Sequence, residues 1–166
     1  MNSQSAGDYL DLTAVSALLV EDNANTRILI SEVLRGLGIT KVFKADSAAA
    51  GWMVLQTGGV DLVFVDIEMA GENGLEFVSR VRAARDPGIA EVVIVVVSAH
   101  ATEARVIKAG AVGANSFLGK PFSVARFARA VTEGFANRRM LAKAAAVRAE
   151  AGPACDATTA DRAVEL

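Results

Sequence analysis

Strand and helix patterns alternate five times along this chain, predicting an α/β fold. The expected architecture is a doubly wound sheet of five parallel strands in the order 2-1-3-4-5, with five helices. Three observations carry this prediction. The connections between alternating elements are short. The run Val92-Val93-Ile94-Val95-Val96-Val97 is apolar on both faces, as a central parallel strand is when helices cover both sides. Lys41-Val42-Phe43-Lys44-Ala45 has a lysine at each shoulder, charge that discourages unwanted pairing at a sheet edge. The crossovers are expected to be right-handed.

Taken in order, the first strand candidate covers residues 14–20 and ends at Glu21-Asp22. Asn23 or Asn25 can cap the next helix, because a short polar side chain accepts from the free amides of a first turn. That helix is expected over residues 26–37. Leu29, Val33 and Leu37 form its apolar stripe, with Ile30 and Leu34 beside them, and Gly38 ends it. The lysine-flanked strand comes next. A second helix starts at Asp46 or Ser47, runs through Trp52 and Leu55, and breaks at Gly58-Gly59. The third strand begins at Leu62-Val63-Phe64-Val65, meets Asp66, and gives way to a polar, glycine-containing loop. A third helix is expected over residues 74–84, with Leu75, Phe77, Val78 and Val81 inward and Pro87-Gly88 closing it. After the fourth strand come Ser98-Ala99-His100 and a fourth helix over residues 102–111. Asn115-Ser116-Phe117-Leu118 is the fifth strand. Gly119-Lys120-Pro121-Phe122 is a loop, and Ser123 can cap a fifth helix bearing Val124, Phe127 and Val131.

The ends set the domain limits: a flexible arm over residues 1–12, the domain over 13–137, and a tail over 138–166. The tail is alanine-rich and helix-prone to residue 151, where Gly152-Pro153 stops it. The last residues, 154–166, are mostly small and polar, and disorder is expected there. An unbroken fifth helix over residues 123–151 would be about 43 Å long and project past the domain.

Bulk properties exclude several function classes. A net charge of −2 gives no electrostatic case for nucleic acid or an anionic membrane as partner. One cysteine, Cys155, allows neither an intramolecular disulfide nor a thiolate metal cluster. One histidine, His100, rules out a multi-histidine site within one chain. No apolar run approaches the roughly 18 residues of a membrane span, and no signal-peptide pattern is visible. The expectation is a soluble, cytoplasmic protein.

In such a sheet every strand points its carboxyl end to one edge, where ligands bind. The residues at those ends are Glu21 and Asp22, Asp66, Ser98 and Lys120, converging from distant parts of the sequence. Singly, each has an ordinary reading: acids at a helix start, a strand-end hydroxyl, a solvated loop lysine. Together they form a chemical set. Three close carboxylates repel unless a cation is present. Oxygen-only ligands suit Mg2+ or Mn2+, which take one or two carboxylates with a phosphate oxygen. A lysine is a good point charge for phosphate. Phosphoryl transfer needs positioning and charge neutralisation, and a carboxylate can itself be the acceptor, forming an aspartyl phosphate. Asp66, central in the set, is the natural acceptor.

The motifs Leu18-Leu19-Val20-Glu21-Asp22, Val65-Asp66-Ile67-Glu68-Met69, Asn73-Gly74, Val97-Ser98-Ala99 and Lys120-Pro121-Phe122 resemble the receiver domain of two-component response regulators. The resemblance covers about residues 15–135 and is to single-domain, CheY-like members. It implies a flavodoxin-like fold, for which the 2-1-3-4-5 order is itself a family property. It implies Asp66 as phosphoacceptor, Glu21 and Asp22 as the acidic pair holding Mg2+, and the Glu68 backbone carbonyl as a further ligand. Ser98 would bond the phosphoryl oxygen, with small Ala99 leaving access, and Lys120 would pair with the phosphoryl group. The Lys120-Pro121 bond would be cis, and Phe117 would be the aromatic switch. The implied partners are a histidine kinase or phosphotransfer protein and an output protein that the sequence does not name. A homodimer would form through the face of the fourth helix, fifth strand and fifth helix, or through the tail. Output would be protein contact or phosphate relay, with no turnover of an external substrate.

Some positions depart from the common pattern. Glu21 stands where aspartate is frequent, and Ala70 replaces a common proline. Glu68 and His100 occupy the two positions that tune phosphoryl lifetime in this family, and Glu68 is expected to act through its charge near the attacking water. Three alternatives remain. A phosphatase-like hydrolase with an aspartate nucleophile would want a second aspartate two residues on, where Glu68 stands. A flavin binder would want a phosphate-cradling loop after the first strand, which is lacking. A degenerate receiver, binding without phosphorylation, is opposed only by the presence of the key residues.

Overall fold

The structure is a computed structural model and describes residues 10–150. A five-stranded parallel sheet runs in the order β2-β1-β3-β4-β5. The strands are β1 (Ser16–Val20), β2 (Lys41–Ala45), β3 (Leu62–Asp66), β4 (Val93–Ser98) and β5 (Ser116–Gly119). The helices are α1 (Ala24–Gly36), α2 (Ala48–Gln56), α3 (Gly74–Arg82), the single turn α4 (Pro87–Ala90), α5 (Glu103–Ala111) and α6 (Val124–Glu150). The expected order and alternation are present. The turn α4 is additional to the five expected helices. Pro87-Gly88 does not simply close α3: the Asp86 side chain accepts from the Gly88 N–H, and the proline occupies a first-turn position where its missing N–H costs nothing. The fourth and fifth helices of the sequence pattern are therefore α5 and α6.

The apolar strands bury both faces. Leu18, Val20, Val63, Val65, Ile94 and Val96 face one layer, with Leu55, Phe77, Val78, Val81 and Ala109 from α2, α3 and α5. The intervening Ala17, Leu19, Leu62, Phe64, Val93, Val95 and Val97 face the other, against Ile30 and Leu34 of α1 and Phe127, Ala130 and Val131 of α6. A strand alternates faces at every residue, so a continuous apolar run feeds two cores at once. Phe64 and Phe127 stack at 4.7 Å between ring centroids, fixing α6 against β3.

Two parts of the expected helical stripes point elsewhere. In α1 the buried residues are Ile30, Ser31 and Leu34, whereas Leu29 is 58% exposed. One residue is about 100° of helix rotation, enough to carry Leu29 off the contact arc. Val124, at the start of α6, is likewise exposed. The edge strand β2 does expose both lysines, Lys41 and Lys44.

At the amino end, Leu12–Ala14 form a 3-10 turn that Asp11 caps through the Thr13 N–H, and β1 starts at Ser16 rather than at residue 14. Most of the expected arm, residues 1–9, lies outside the described residues. At the other end α6 runs 27 residues without a break, about 40 Å. Its middle is tied down by Asn137 Nδ2 donating to the Asn115 carbonyl at 2.8 Å. The expected stop at Gly152-Pro153, the polar end of the tail and Cys155 lie outside the described residues. Among the described residues, no helix is long and apolar enough to cross a membrane.

Candidate functional site

Asp66 is the last residue of β3, the middle strand of the sheet, and is buried. Its strand register places it beside Val97 of β4, next to Ser98. The chain can turn sharply here because Gly74 begins α3 directly against the Asp66 backbone. An added Cβ at Gly74 would lie 2.1 Å from the Asp66 carbonyl oxygen. Asn73 caps α3 in a reciprocal box with Glu76, which sets where the loop ends. The Asn73-Gly74 pair thus has a local cause: one residue stops the loop, and the other lets the helix approach the strand.

Glu21, Asp22 and Asp66 bring carboxylate oxygens within 4.8 Å of one another. Lys120, just past β5, reaches back over the sheet edge. Its Nζ donates to Glu21 Oε2 at 2.8 Å and to Asp66 Oδ2 at 3.0 Å. The bond before Pro121 is cis. Burial pushes the Glu21 carboxyl up, against the Lys120 hydrogen bond that favours its charge. Lys120 is held above the usual lysine range: burial alone would lower it, but its bonds to Glu21 and Asp66 outweigh that. The geometry is of two buried carboxylates sharing one ammonium, with a third, exposed carboxylate at the rim.

The rim is braced from below. Arg27 Nη1 donates to the Glu21 carbonyl at 2.6 Å and the Asp22 carbonyl at 3.2 Å. Asp22 Oδ2 accepts from the Ala70 N–H at 3.1 Å, tying the loop after β3 to the end of β1. Ala70, where a proline is common, therefore supplies an N–H that a proline would lack. Sequence reasoning did not single out Arg27; its one signal is a long basic side chain in the first turns of the helix after an acidic pair.

Glu68 links the acceptor to the neighbouring strand and helix. Its N–H donates to Asp66 Oδ1 at 3.1 Å, but its carboxylate turns to β4 and α5. There it accepts from Arg105 Nη1, from Ser98 Oγ at 3.3 Å and from the Ala99 N–H at 3.4 Å. His100 Nδ1 lies 3.1 Å away. Partial burial works against its charge, yet the Arg105 hydrogen bond, helped by His100, lowers the Glu68 carboxyl to about 2. Ser98 Oγ in turn accepts from the His100 N–H at 3.0 Å and from Arg105 Nη1 at 3.2 Å. The Glu68 charge is thus paired. Arg105 was not legible as part of the site. It lies in the first turn of α5, distant in sequence from Glu68, and only the fold brings the two together.

Phe117 is half-buried on β5 and packs against the core layer that holds Val96. Phe117 lines two hollows, one shared with Arg126, Arg129 and Glu133, the other with Val106, Ala109 and Asn137. His100 is exposed, as a loop position should be, and touches the site through Glu68. The structure therefore gathers Glu21, Asp22, Asp66 and Lys120 in one cluster, Glu68, Ser98 and His100 in an adjoining one, and leaves Phe117 on the neighbouring strand.

Comparison with known proteins bears on the family and the fold. The sequence matches the family model of the response regulator receiver domain over residues 17–132. It is 31% identical over 106 residues to the chemotaxis protein CheY of Pseudomonas aeruginosa, covering 64% of this chain and 84% of that protein. It is 29% identical over 108 residues to CheY-3 of Vibrio cholerae, covering 65% of this chain and 82% of that one. Among solved structures, Vibrio cholerae CheY4 superposes with a TM-score of 0.65 at 24% identity, covering 71% of this chain and 96% of that one. CheY of Borrelia burgdorferi, in complex with CheX, BeF3 and Mg2+, gives 0.67 at 20% identity over 73% of this chain and 89% of that one.

Proposed function

The chain belongs to the response regulator receiver domain family, and from that premise we propose that Asp66 accepts a phosphoryl group from a histidine kinase or phosphotransfer protein. The observation that carries this reading is the shared ammonium: Lys120 Nζ donates to both Asp66 and Glu21, with Asp22 at the rim. A buried carboxylate so placed has a cation to balance it and sits at the ligand-binding edge of the sheet. Its oxygen attacks phosphorus, the bond to the donor's nitrogen or oxygen breaks, and the donor leaves with the electron pair. Lys120 then has a phosphoryl oxygen to pair with in place of the carboxylate.

Glu21 and Asp22 fit a hard divalent cation by their chemistry: oxygen donors only, of like charge, close together, with Asp66 completing the set. Mg2+ or Mn2+ would be held by these three side chains and by the Glu68 backbone carbonyl. When bound, the ion neutralises charge on the phosphoryl oxygens. A neighbour of the same fold, CheY of Borrelia burgdorferi, was solved in a complex that contains BeF3 and Mg2+.

Signal output is then a population shift between two states, with phosphate favouring one of them. Ser98 turning to the phosphoryl oxygen and Phe117 moving within its hollows would reshape the face of α5, β5 and α6. That face would serve an output protein or a second copy, or the phosphate would be relayed onward. Such a domain regulates and does not turn over an external substrate. The hydrolase reading is disfavoured by Glu68: a carboxyl lowered to about 2 has no proton to give a leaving group. The test is incubation with Mg2+ and a small acyl-phosphate donor, then intact mass measurement. One added phosphoryl group is expected, absent in Asp66→Asn and absent when Mg2+ is chelated. Undiminished labelling of Asp66→Asn would overturn the assignment.

A further inference from the structure

The contacts of Ser98 cannot coexist with the part proposed for it. Its hydroxyl has one proton and two acceptor sites. The acceptor sites are taken by the His100 N–H at 3.0 Å and Arg105 Nη1 at 3.2 Å. The proton faces the Glu68 carboxylate at 3.3 Å to either oxygen, or the His100 carbonyl at 3.3 Å. Nothing is left for a phosphoryl oxygen on Asp66 until some of these contacts open. The group that closes the set is Arg105, which bonds Glu68 and Ser98 from one nitrogen and is itself only 35% exposed.

We propose that Arg105 is a positioning residue that latches the resting site: paired with Glu68, it holds the Ser98 hydroxyl away from Asp66, so that phosphorylation must break this three-way contact. The latch ties the loop after β3, the end of β4 and the first turn of α5 into one unit. Its opening is therefore felt directly by α5, on the proposed signalling face. The proposal rests on the phosphoacceptor reading of Asp66 and adds the residue that opposes the switch. A contact made only in the resting state weakens binding of anything that selects the other state. Removing the latch from either side must therefore tighten the activated form.

The test compares Arg105→Met, Glu68→Gln and the double variant, with beryllofluoride and Mg2+ as phosphoryl mimic and affinity as readout. Both single variants are expected to bind about threefold or more tightly than the parent, the scale of a partly exposed charged contact. The double variant should gain little beyond either single, because both open one latch. Arg105→Lys, which keeps a donor and the charge, should fall between parent and Arg105→Met. The design separates the latch from simple charge: the two single variants change the local charge in opposite directions, yet the latch moves affinity the same way. Amide exchange at Ala99 and His100, whose N–H groups go to Glu68 and Ser98, should quicken in both. Opposite shifts in the two single variants, or unchanged exchange, would overturn the latch while leaving Asp66 as acceptor. A parent that neither binds the mimic nor takes phosphate would overturn the acceptor reading, and the latch's role with it.

Discussion

Gly74 shows how closely the acceptor depends on a residue with no chemistry of its own. A methyl group there would meet the Asp66 carbonyl at 2.1 Å and the Ile67 Cα at 2.9 Å, both backbone atoms that cannot swing aside. Gly74→Ala is therefore expected to lower stability by about 2 kcal/mol, in the range of overpacked sites. It should also slow phosphoryl acceptance, because the strain is relieved only by moving Asp66. Denaturant melts and acyl-phosphate labelling check the two effects, and parental values in both would show that α3 can shift instead. The charged residues of the site were legible where their chemistry is self-advertising: acids and a lysine at strand ends are expensive to bury without partners. Glu68 was legible as a nearby charge but not in its direction. Its partner Arg105 belongs to another element, and no local rule joins a loop acid to a helix arginine so far along the chain. The Glu68 charge, expected to act near the attacking water, is paired with Arg105 and accepts from the Ser98 hydroxyl.

At the scale of elements, periodicity predicted what periodicity can. The two-faced burial of β1, β3 and β4 came from unbroken apolar runs, and the exposed lysines of β2 from its edge position. The facing of α1 was less legible, because Ile28, Leu29 and Ile30 are alike in hydropathy and only docking decides which is buried. The turn α4 was hidden in a Pro-Gly pair that reads as a stop. Its role is seen in Arg82, the last residue of α3. Arg82 Nη1 donates to the carbonyls of Ala90 and Val92 at 2.7 and 2.8 Å, Nε to Gly113 at 2.8 Å, and Nη2 to Asn115 Oδ1 at 2.7 Å. One side chain thus joins the end of α3, the α4 turn and the approach to β5. Burial, and secondarily Arg138, pushes its guanidinium down to about 10, still far above neutrality, so the charge stays in place. Arg82→Met is expected to cost about 3 kcal/mol, since three partly buried carbonyls would lose their donor. Equilibrium unfolding checks this. A loss below about 1 kcal/mol would mean that water replaces the guanidinium.

Across the whole molecule, one edge of the sheet collects the carboxyl ends of β1, β3, β4 and β5, and with them every proposed site residue except Phe117, which lies within β5. That convergence was readable from the sequence because parallel topology orders strand ends before any side chain is placed. The continuity of α6 past Asn137 was foreseeable only as one possibility, since alanine-rich sequence supports a helix whether or not anything covers it. The central claim is that a single carboxylate, Asp66, carries the phosphoryl group. The most direct measurement traps it: the protein is phosphorylated with Mg2+ and an acyl-phosphate donor, reduced with borohydride, digested and sequenced by mass. An acyl phosphate is reduced to a primary alcohol, whereas free carboxylates and phosphate esters are untouched. The account predicts homoserine at position 66 and nowhere else, with Glu21, Asp22 and Glu68 unmodified. Homoserine at another aspartate, or a retained phosphate on Ser98 or His100 with Asp66 intact, would contradict it.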